Sequence, residues 1–553
     1  MAFLVLLLAF LLFYIAKLMY QSITDQRSTK SRGSQLPPGP VPWPVVGCMP
    51  EMLSRRPAFR WILGWMKEMD TDIACFRLGN VHVIPVTCPK IAQEFLKKQD
   101  AIFTSRPLSM ASRILSSGYI TAVMSPYGES WKKMRKVLIS EVISPARHRW
   151  LHDKRAKEAD NLVRYIYYRS KNSGRVNIRT ACQHYSANVV RRLMFDRRYF
   201  VDKIIDDGAP TFREEEHVDA LFTTLKYLYA FCVSDYFPYL EGLDLDGHEK
   251  IIKDAVETIC KYHDPIVKER ILKWRENDGR VFRDENEFKM MEPQDLLDVL
   301  ITLMDANGKP LLTPEEIAAE TREIMMAAVD NPSNAVEWVM AEMINNPEIL
   351  NKAVEELDRV VGKERLVKEE DIPNLNYIKA CAREAFRLHP FAPFNVPHVA
   401  LYDTVVAGYR IPKGSHILLS RRGLGRNPKV WDRPLEFRPE RHLPNGNAGN
   451  RQECSSNEVV LTEPDLRFIT FSTGRRGCVA MALGTTMTIM LLARMVQGFS
   501  WEKPPEISEI NLEESKHELC LADPLVACAE PRLPLHLYQY SEKEHIHHGT
   551  NKS

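Results

Sequence analysis

Phe471-Ser-Thr-Gly-Arg-Arg-Gly-Cys-Val-Ala480 decides how this chain is read. Gly474 and Gly477 lack a Cβ, so the backbone here can turn sharply and approach a flat ligand closely. After Cys478 comes an apolar, helix-compatible run from Met481 to about Gln497. The sulfur is therefore expected just before or at a helix start, where unpaired N–H groups and the helix dipole favour a thiolate. Arg475 and Arg476 add positive charge nearby. A thiolate so placed is a nucleophile or a metal ligand. Taken alone, the same cysteine also reads as a packed free thiol ahead of a core helix.

Other stretches bear on the choice. Glu384 and Arg387, in Ala382-Arg-Glu-Ala-Phe-Arg-Leu-His-Pro390, lie three apart on one helix face and can pair. On its own this reads as an ordinary surface ion pair. Trp131 and Arg135, in Trp131-Lys-Lys-Met-Arg-Lys136, are four apart and share a face. Alone they suggest a solvated basic helix with a core tryptophan. Thr313-Pro-Glu-Glu316 reads as a capped helix start, and no strong stop follows before Asn346-Pro347. The interval predicts a helix of roughly 32 residues, about 48 Å long. Pro332 falls inside it and is expected to kink or widen it.

In this order the motifs resemble those of the cytochrome P-450 family. Phe471, Gly474, Arg476 and Cys478 match its F-x-x-G-x-R-x-C haem-binding signature, although Ala480 stands where that pattern usually has glycine. Glu384 and Arg387 match the E-x-x-R element, followed by Pro439-Glu-Arg-His442. The resemblance implies one large, mainly α fold with a smaller β region, holding haem b with Cys478 as the axial ligand of its iron. It implies a structural Glu384–Arg387–Arg441 network behind the haem. It also implies that Trp131, Arg135, His398 and Arg476 contact the haem propionates.

In the long helix, Ala327-Ala-Val-Asp-Asn-Pro-Ser-Asn334 departs from the family's small–small–x–acid–Thr pattern. Asp330 keeps the acid, while Asn331 replaces the threonine that helps deliver protons to dioxygen. An amide donates but does not relay a proton, so the protons are expected through water, Asp330 or the substrate. Asp330 and Asn331 are the catalytic candidates. Asn331-Pro-Ser-Asn334 and His389-Pro-Phe-Ala-Pro-Phe-Asn-Val-Pro-His398 resemble the plant amino-acid N-monooxygenases. That branch implies two N-hydroxylations of an L-amino acid, giving an aldoxime, with NADPH electrons arriving through a reductase partner.

Pocket walls are expected from Ser109 to Met124, the long helix, Phe391 to Val396 and Leu519 to Leu525. Phe391 and Phe394 suit an apolar side chain, phenylalanine or a branched aliphatic one. Arg113 is a candidate for the substrate carboxylate, and Arg106 reads as structural. Two alternatives stand beside this reading. One is a hydroxylase of another lipophilic plant metabolite; the other is a haem sensor or electron carrier without turnover.

The 553 residues are 45% hydrophobic and 26% charged, with a net charge of +2, which gives no reason to invoke nucleic acid. Lys132, Lys133, Lys136, Arg147, Arg149, Lys154 and Arg155 form a local basic surplus, read either as a face for an acidic partner or as a solvated surface. Residues 1–20 are nearly all apolar and long enough to anchor in a bilayer, with Lys17 snorkelling. Arg27, Lys30 and Arg32 follow, which implies an endoplasmic-reticulum anchor with the body facing the cytosol. Residues 21–44 form a basic and proline-rich hinge, 45–540 the monooxygenase domain, and 541–553 a polar tail containing His545, His547 and His548. Eleven cysteines, an odd count without zinc spacing, fit a reducing compartment.

Overall fold

Pro314–Asn345 is a single helix of 32 residues. In the computed structural model, which describes residues 35–198, 212–228, 230–276, 280–284, 287–444, 458–516 and 518–539, its start is built as the sequence predicts. The Glu316 N–H donates to Thr313 Oγ1 at 3.2 Å, and the Thr313 N–H donates to Glu316 Oε2 at 2.9 Å. Pro332 lies inside the helix without ending it. A proline cannot serve the carbonyl one turn back, here that of Ala328. The carbonyls on either side of it take side-chain donors: Asn331 Nδ2 reaches Ala327 O at 3.4 Å, and Ser333 Oγ reaches Val329 O at 2.8 Å. The run stays helical through the proline, although neither of these side chains serves the Ala328 carbonyl itself.

From Pro332 to Ile344 the helix is buried on every face, which marks it as interior rather than amphipathic. Helices Ile178–Phe195, His248–Glu276, Asn376–Leu388 and Met481–Gly498 pack around it. The last of these is the apolar run predicted after Cys478. Its Met487, Met490 and Leu491 join Trp338, Val339 and Met340 in one continuous core.

The β region is small. Strands Phe76–Leu78, Val81–Val86, His416–Leu419 and His398–Val399 form one sheet in that order. Its pairings are antiparallel, parallel and antiparallel, with His398 opposite Ile417. A second sheet joins Phe499–Glu502, Val526–Pro531 and Arg175–Asn177. A mainly helical architecture with a smaller sheet region is what the sequence implied. The expected anchor, most of the hinge and the tail lie outside the described residues. Among the described residues, no helix is long and apolar enough to cross a membrane.

Candidate active site

The loop before the helix Met481–Gly498 is shaped by one glycine above all. Gly474 sits at φ +72°, and a Cβ there would lie 2.5 Å from the Leu96 carbonyl oxygen, so no larger residue fits. Ala480 has φ −96°, which any L residue adopts, and its departure from the family glycine is accommodated. The Cys478 N–H donates to Phe471 O at 2.8 Å and closes the loop. Among the described cysteines, all free thiols, Cys478 alone is an exposed residue, although enough protein surrounds its sulfur for burial to dominate its ionisation.

The expectation of a self-ionised sulfur is corrected. The helix begins at Met481, three residues on. Burial in the surrounding protein pushes the thiol above its ordinary value, against the Ala480 N–H, Arg421 and Arg135, which lower it. Arg475 pairs with Asp100 instead, its backbone N–H donating to Oδ2 at 3.3 Å and its side-chain Nε lying 3.7 Å from the same oxygen. The sulfur needs a cation to stay ionised, and that favours ligand over free nucleophile.

A cationic, donor-rich cluster lies beside it. Arg476 is buried, its Nε donating to Thr104 O at 2.6 Å and its Nη2 to Ser125 O at 2.8 Å, while Nη1 is buried without a partner. Its guanidinium lies 4.3 Å from the Trp131 ring centre, and Trp131 Nε1 is likewise buried and unpartnered. Arg135 stands 5.8 Å from the same ring and donates to Gly477 O at 3.0 Å. His398 Nδ1 is 2.7 Å from Phe103 O, which accepts only from a protonated nitrogen, and Nε2 has no partner. Burial, then Arg106 and Arg135, lowers Arg476 to about 8. Buried polar groups ordinarily find partners. Here, among the described residues, two orphaned donors, Arg476 Nη1 and Trp131 Nε1, lie with the Arg135 guanidinium, and they fit a carboxylate-bearing group such as the two haem propionates. His398 Nε2 beside them carries a lone pair and would donate only if the ring gained a second proton. Trp131, Arg135, His398 and Arg476 are thus brought together with the cysteine loop.

Behind the loop, Glu384 accepts from Arg387 Nη2 at 2.7 Å, Arg387 Nε at 2.8 Å and Arg441 Nε at 3.0 Å. His442 Nε2 at 2.8 Å and the Arg438 N–H at 2.9 Å complete the set. Burial raises the Glu384 carboxyl, but Arg387 and His442 outweigh it and hold it far below the usual range. The sequence identified the three charged members and missed His442, which lay in the quoted Pro439–His442 segment.

Asp330 and Asn334 project from the central helix into a cavity of about 820 Å³. Phe391 and Leu519 line it as expected; Phe222, Tyr227, Phe231 and the segment Met52–Phe59 were not foreseen. Those elements carry only generic amphipathic patterns, with no local signal of a pocket. Ser109, Ser112, Met124 and Phe394 line a separate cavity of about 70 Å³, so the expected walls divide between two spaces. Burial, and then Glu518, raises the Asp330 carboxyl to about 7. Asn331 is part-buried, with Oδ1 unpartnered.

Arg113 lines neither of these two cavities: it is half-exposed and pairs with Glu241, so the structure does not bring it to the expected substrate carboxylate. Arg106 is structural, donating to Val396 O and Pro397 O at 2.8 Å each. The basic surplus also shrinks. Arg155 is buried against Glu369, Lys133 and Lys154 pair with Glu316 and Asp196, and Arg147 donates to Glu141 O at 3.1 Å. Lys132, exposed, pairs with Glu129, leaving Lys136 and Arg149 exposed without such a pairing among the described residues.

With this geometry in place, the chain matches the family model described as Cytochrome P450 over residues 37–527, and it belongs to that family. It is 59% identical over 507 residues to the tyrosine N-monooxygenase of Sorghum bicolor, covering 91% of this chain and 87% of that protein. It is 57% identical over 511 residues to valine N-monooxygenase 2 of Manihot esculenta, covering 92% and 90%. To tryptophan N-monooxygenase 1 of Arabidopsis thaliana it is 55% identical over 530 residues, covering 96% and 94%. The protein is therefore a haem-thiolate monooxygenase, an oxidoreductase supplied with electrons by a reductase.

Proposed function

We propose that this protein N-hydroxylates an L-amino acid twice and releases the aldoxime, with loss of water and carbon dioxide. Support comes from relatives whose names specify N-monooxygenation of tyrosine, valine and tryptophan. The observation that carries the reading is Asp330, an acid of near-neutral character facing a cavity whose wall mixes aromatic rings with polar groups.

Cys478 would hold the iron, and Trp131, Arg135, His398 and Arg476 the propionates. Haem, when bound, supplies oxygen activation driven by NADPH electrons from the reductase. An amino acid arrives as an ammonium, whose nitrogen has no lone pair to oxidise. The Asp330 carboxylate takes that proton. Its raised value places the exchange near neutral pH, where an ordinary aspartate would be too weak a base. Asn331 donates from its amide and does not relay protons. Phe391, Phe222 and Phe231 keep water from the reacting nitrogen and suit an apolar side chain, phenylalanine or branched aliphatic. The Glu384–Arg387–Arg441 network keeps the region behind the cysteine loop rigid. Residues 1–20 anchor the chain in the endoplasmic-reticulum membrane with the body in the cytosol. Lys136 and Arg149 remain as cations for an acidic reductase face.

The test is to incubate membranes carrying the protein with reductase, NADPH and each of the twenty amino acids, and to measure oximes by mass spectrometry. One or a few apolar acids should give the oxime. Hydroxylation of some other lipophile without any oxime would support a different monooxygenase. No NADPH consumption with any small molecule would support a sensor or carrier.

A further inference from the structure

Asn334 lies four residues after Asp330, about 6 Å along the helix axis at 1.5 Å per residue. Side chains at that spacing share a face, with Cβ atoms about 5–6 Å apart, and both residues line the 820 Å³ cavity. Glu337 continues the row three residues on, and its carboxylate is engaged: it receives Arg179 Nε at 2.9 Å and the Leu525 N–H at 3.0 Å. Ser333, the residue before Asn334, donates to Val329 O at 2.8 Å and meets Ser186 Oγ at 3.0 Å.

Asn334 has no such employment. Only 7% of it is exposed, and its amide makes no hydrogen bond among the described residues. Its Oδ1 is sealed off from any partner, which leaves Nδ2 as the end that meets the cavity. A buried primary amide without partners calls for a reason, and the cavity supplies one if its ligand carries an acceptor. Two of the cavity's cations are already engaged. Arg179 also donates to Leu521 O at 2.8 Å, and Lys226 pairs with Glu518 at 2.5 Å.

We propose that Asn334 is the specificity-determining residue for the α-carboxylate of the substrate: Nδ2 donates to a carboxylate oxygen while the α-amine lies against Asp330 one turn earlier. The assignment rests on the amino-acid reading above and names how that site tells an amino acid from a simple amine. Amine and carboxylate are attached to one carbon, so the two groups that hold them must be neighbours, as residues four apart on a helix are. A neutral donor also suits this place better than a cation. An arginine beside Asp330 would pair with it and hold it ionised, weakening it as a base for the ammonium proton.

The experiment measures binding rather than turnover. Equilibrium dialysis of the full-length, haem-loaded protein compares each of L-valine, L-phenylalanine and L-tyrosine with the amine that lacks its carboxylate: isobutylamine, 2-phenylethylamine and tyramine. In Asn334→Leu, which keeps the branched shape and removes the donor, the bound acid should weaken by about 10–100-fold, the span of one hydrogen bond to a charged group. The matching amine should change less than about twofold, within the scatter of substitutions that touch no bonding partner. Asn334→Asp should weaken the acid and tighten the amine, opposite changes that damaged folding does not produce. Equal weakening of acid and amine in both variants, or unchanged acid binding with oxime formation intact, overturns the assignment alone. Wild-type protein that binds none of the twenty amino acids overturns the functional reading and the assignment together.

Discussion

Replacing Glu384 with glutamine keeps its volume and removes its charge. In the structure the carboxylate has no accessible surface and gathers donors from Arg387, Arg441, His442 and the Arg438 backbone. Arg387 is equally buried and Arg441 nearly so. The variant strands both guanidiniums without a counter-charge and turns one acceptor into a donor facing them. Breaking a buried pair in this way costs about 3–5 kcal/mol, against a whole-protein margin of about 5–15 kcal/mol. Glu384→Gln should therefore give little haem-loaded protein, with a urea midpoint far below wild type at matched expression. A double change, Glu384→Met with Arg387→Met, should recover part of the loss by removing the stranded Arg387 charge. Recovery stays incomplete because Arg387 also donates to the carbonyls of Gly425, Pro434 and Glu436. An unchanged midpoint in the single variant would refute the network's structural role.

Three further outcomes follow from the same geometry. Burial chiefly lowers His442 to about 4, so the fold holds it neutral. The stability this brings is complete above the unfolded value of about 6.5 and is lost as pH falls toward 4. Urea unfolding should weaken by roughly 2 kcal/mol from this residue between pH 7.5 and 5.0, and His442→Gln should flatten that slope; an identical slope would count against it. With Asp330 raised to about 7, kcat/KM should climb with pH through that region as the carboxylate forms. Asp330→Asn should remove that limb while haem content stays constant, and a retained limb would assign the base elsewhere. Trp131→Phe deletes the orphaned indole N–H. Loss of one hydrogen bond to a charged group should speed haem release to a scavenging protein by about 10–100-fold, and an unchanged rate would remove Trp131 from the propionate site.

Local signals explain what could be read from the chain. The central helix was legible to within a residue because Thr313, Glu316 and Asn346-Pro347 act through their own backbone neighbours. The Glu384–Arg387 pair and the Trp131–Arg135 pair were legible for a similar reason, since spacing along a helix fixes which side chains meet. The ionisation of Cys478 was not, because it depends on how much protein closes around the sulfur. Arg113 was misread because its partner, Glu241, lies 128 positions away and no spacing announces it. The helix Phe212–Leu228 joined the pocket wall for the same reason: an amphipathic pattern shows that one face is covered, without saying by what. Pro332 shows the converse. A local rule identified the lost backbone bond, but the helix runs on through the site, buried on every face from Pro332 to Ile344.

The measurement closest to the centre of this account is the carbon-monoxide spectrum of the reduced, haem-loaded protein, taken for wild type and for Cys478→Ser. The wild type should show the strongly red-shifted Soret band that sulfur coordination gives, and the serine variant should lose that band even where pigment is retained. A serine variant whose spectrum overlays the wild type would place the iron on another ligand and contradict the assignment of Cys478.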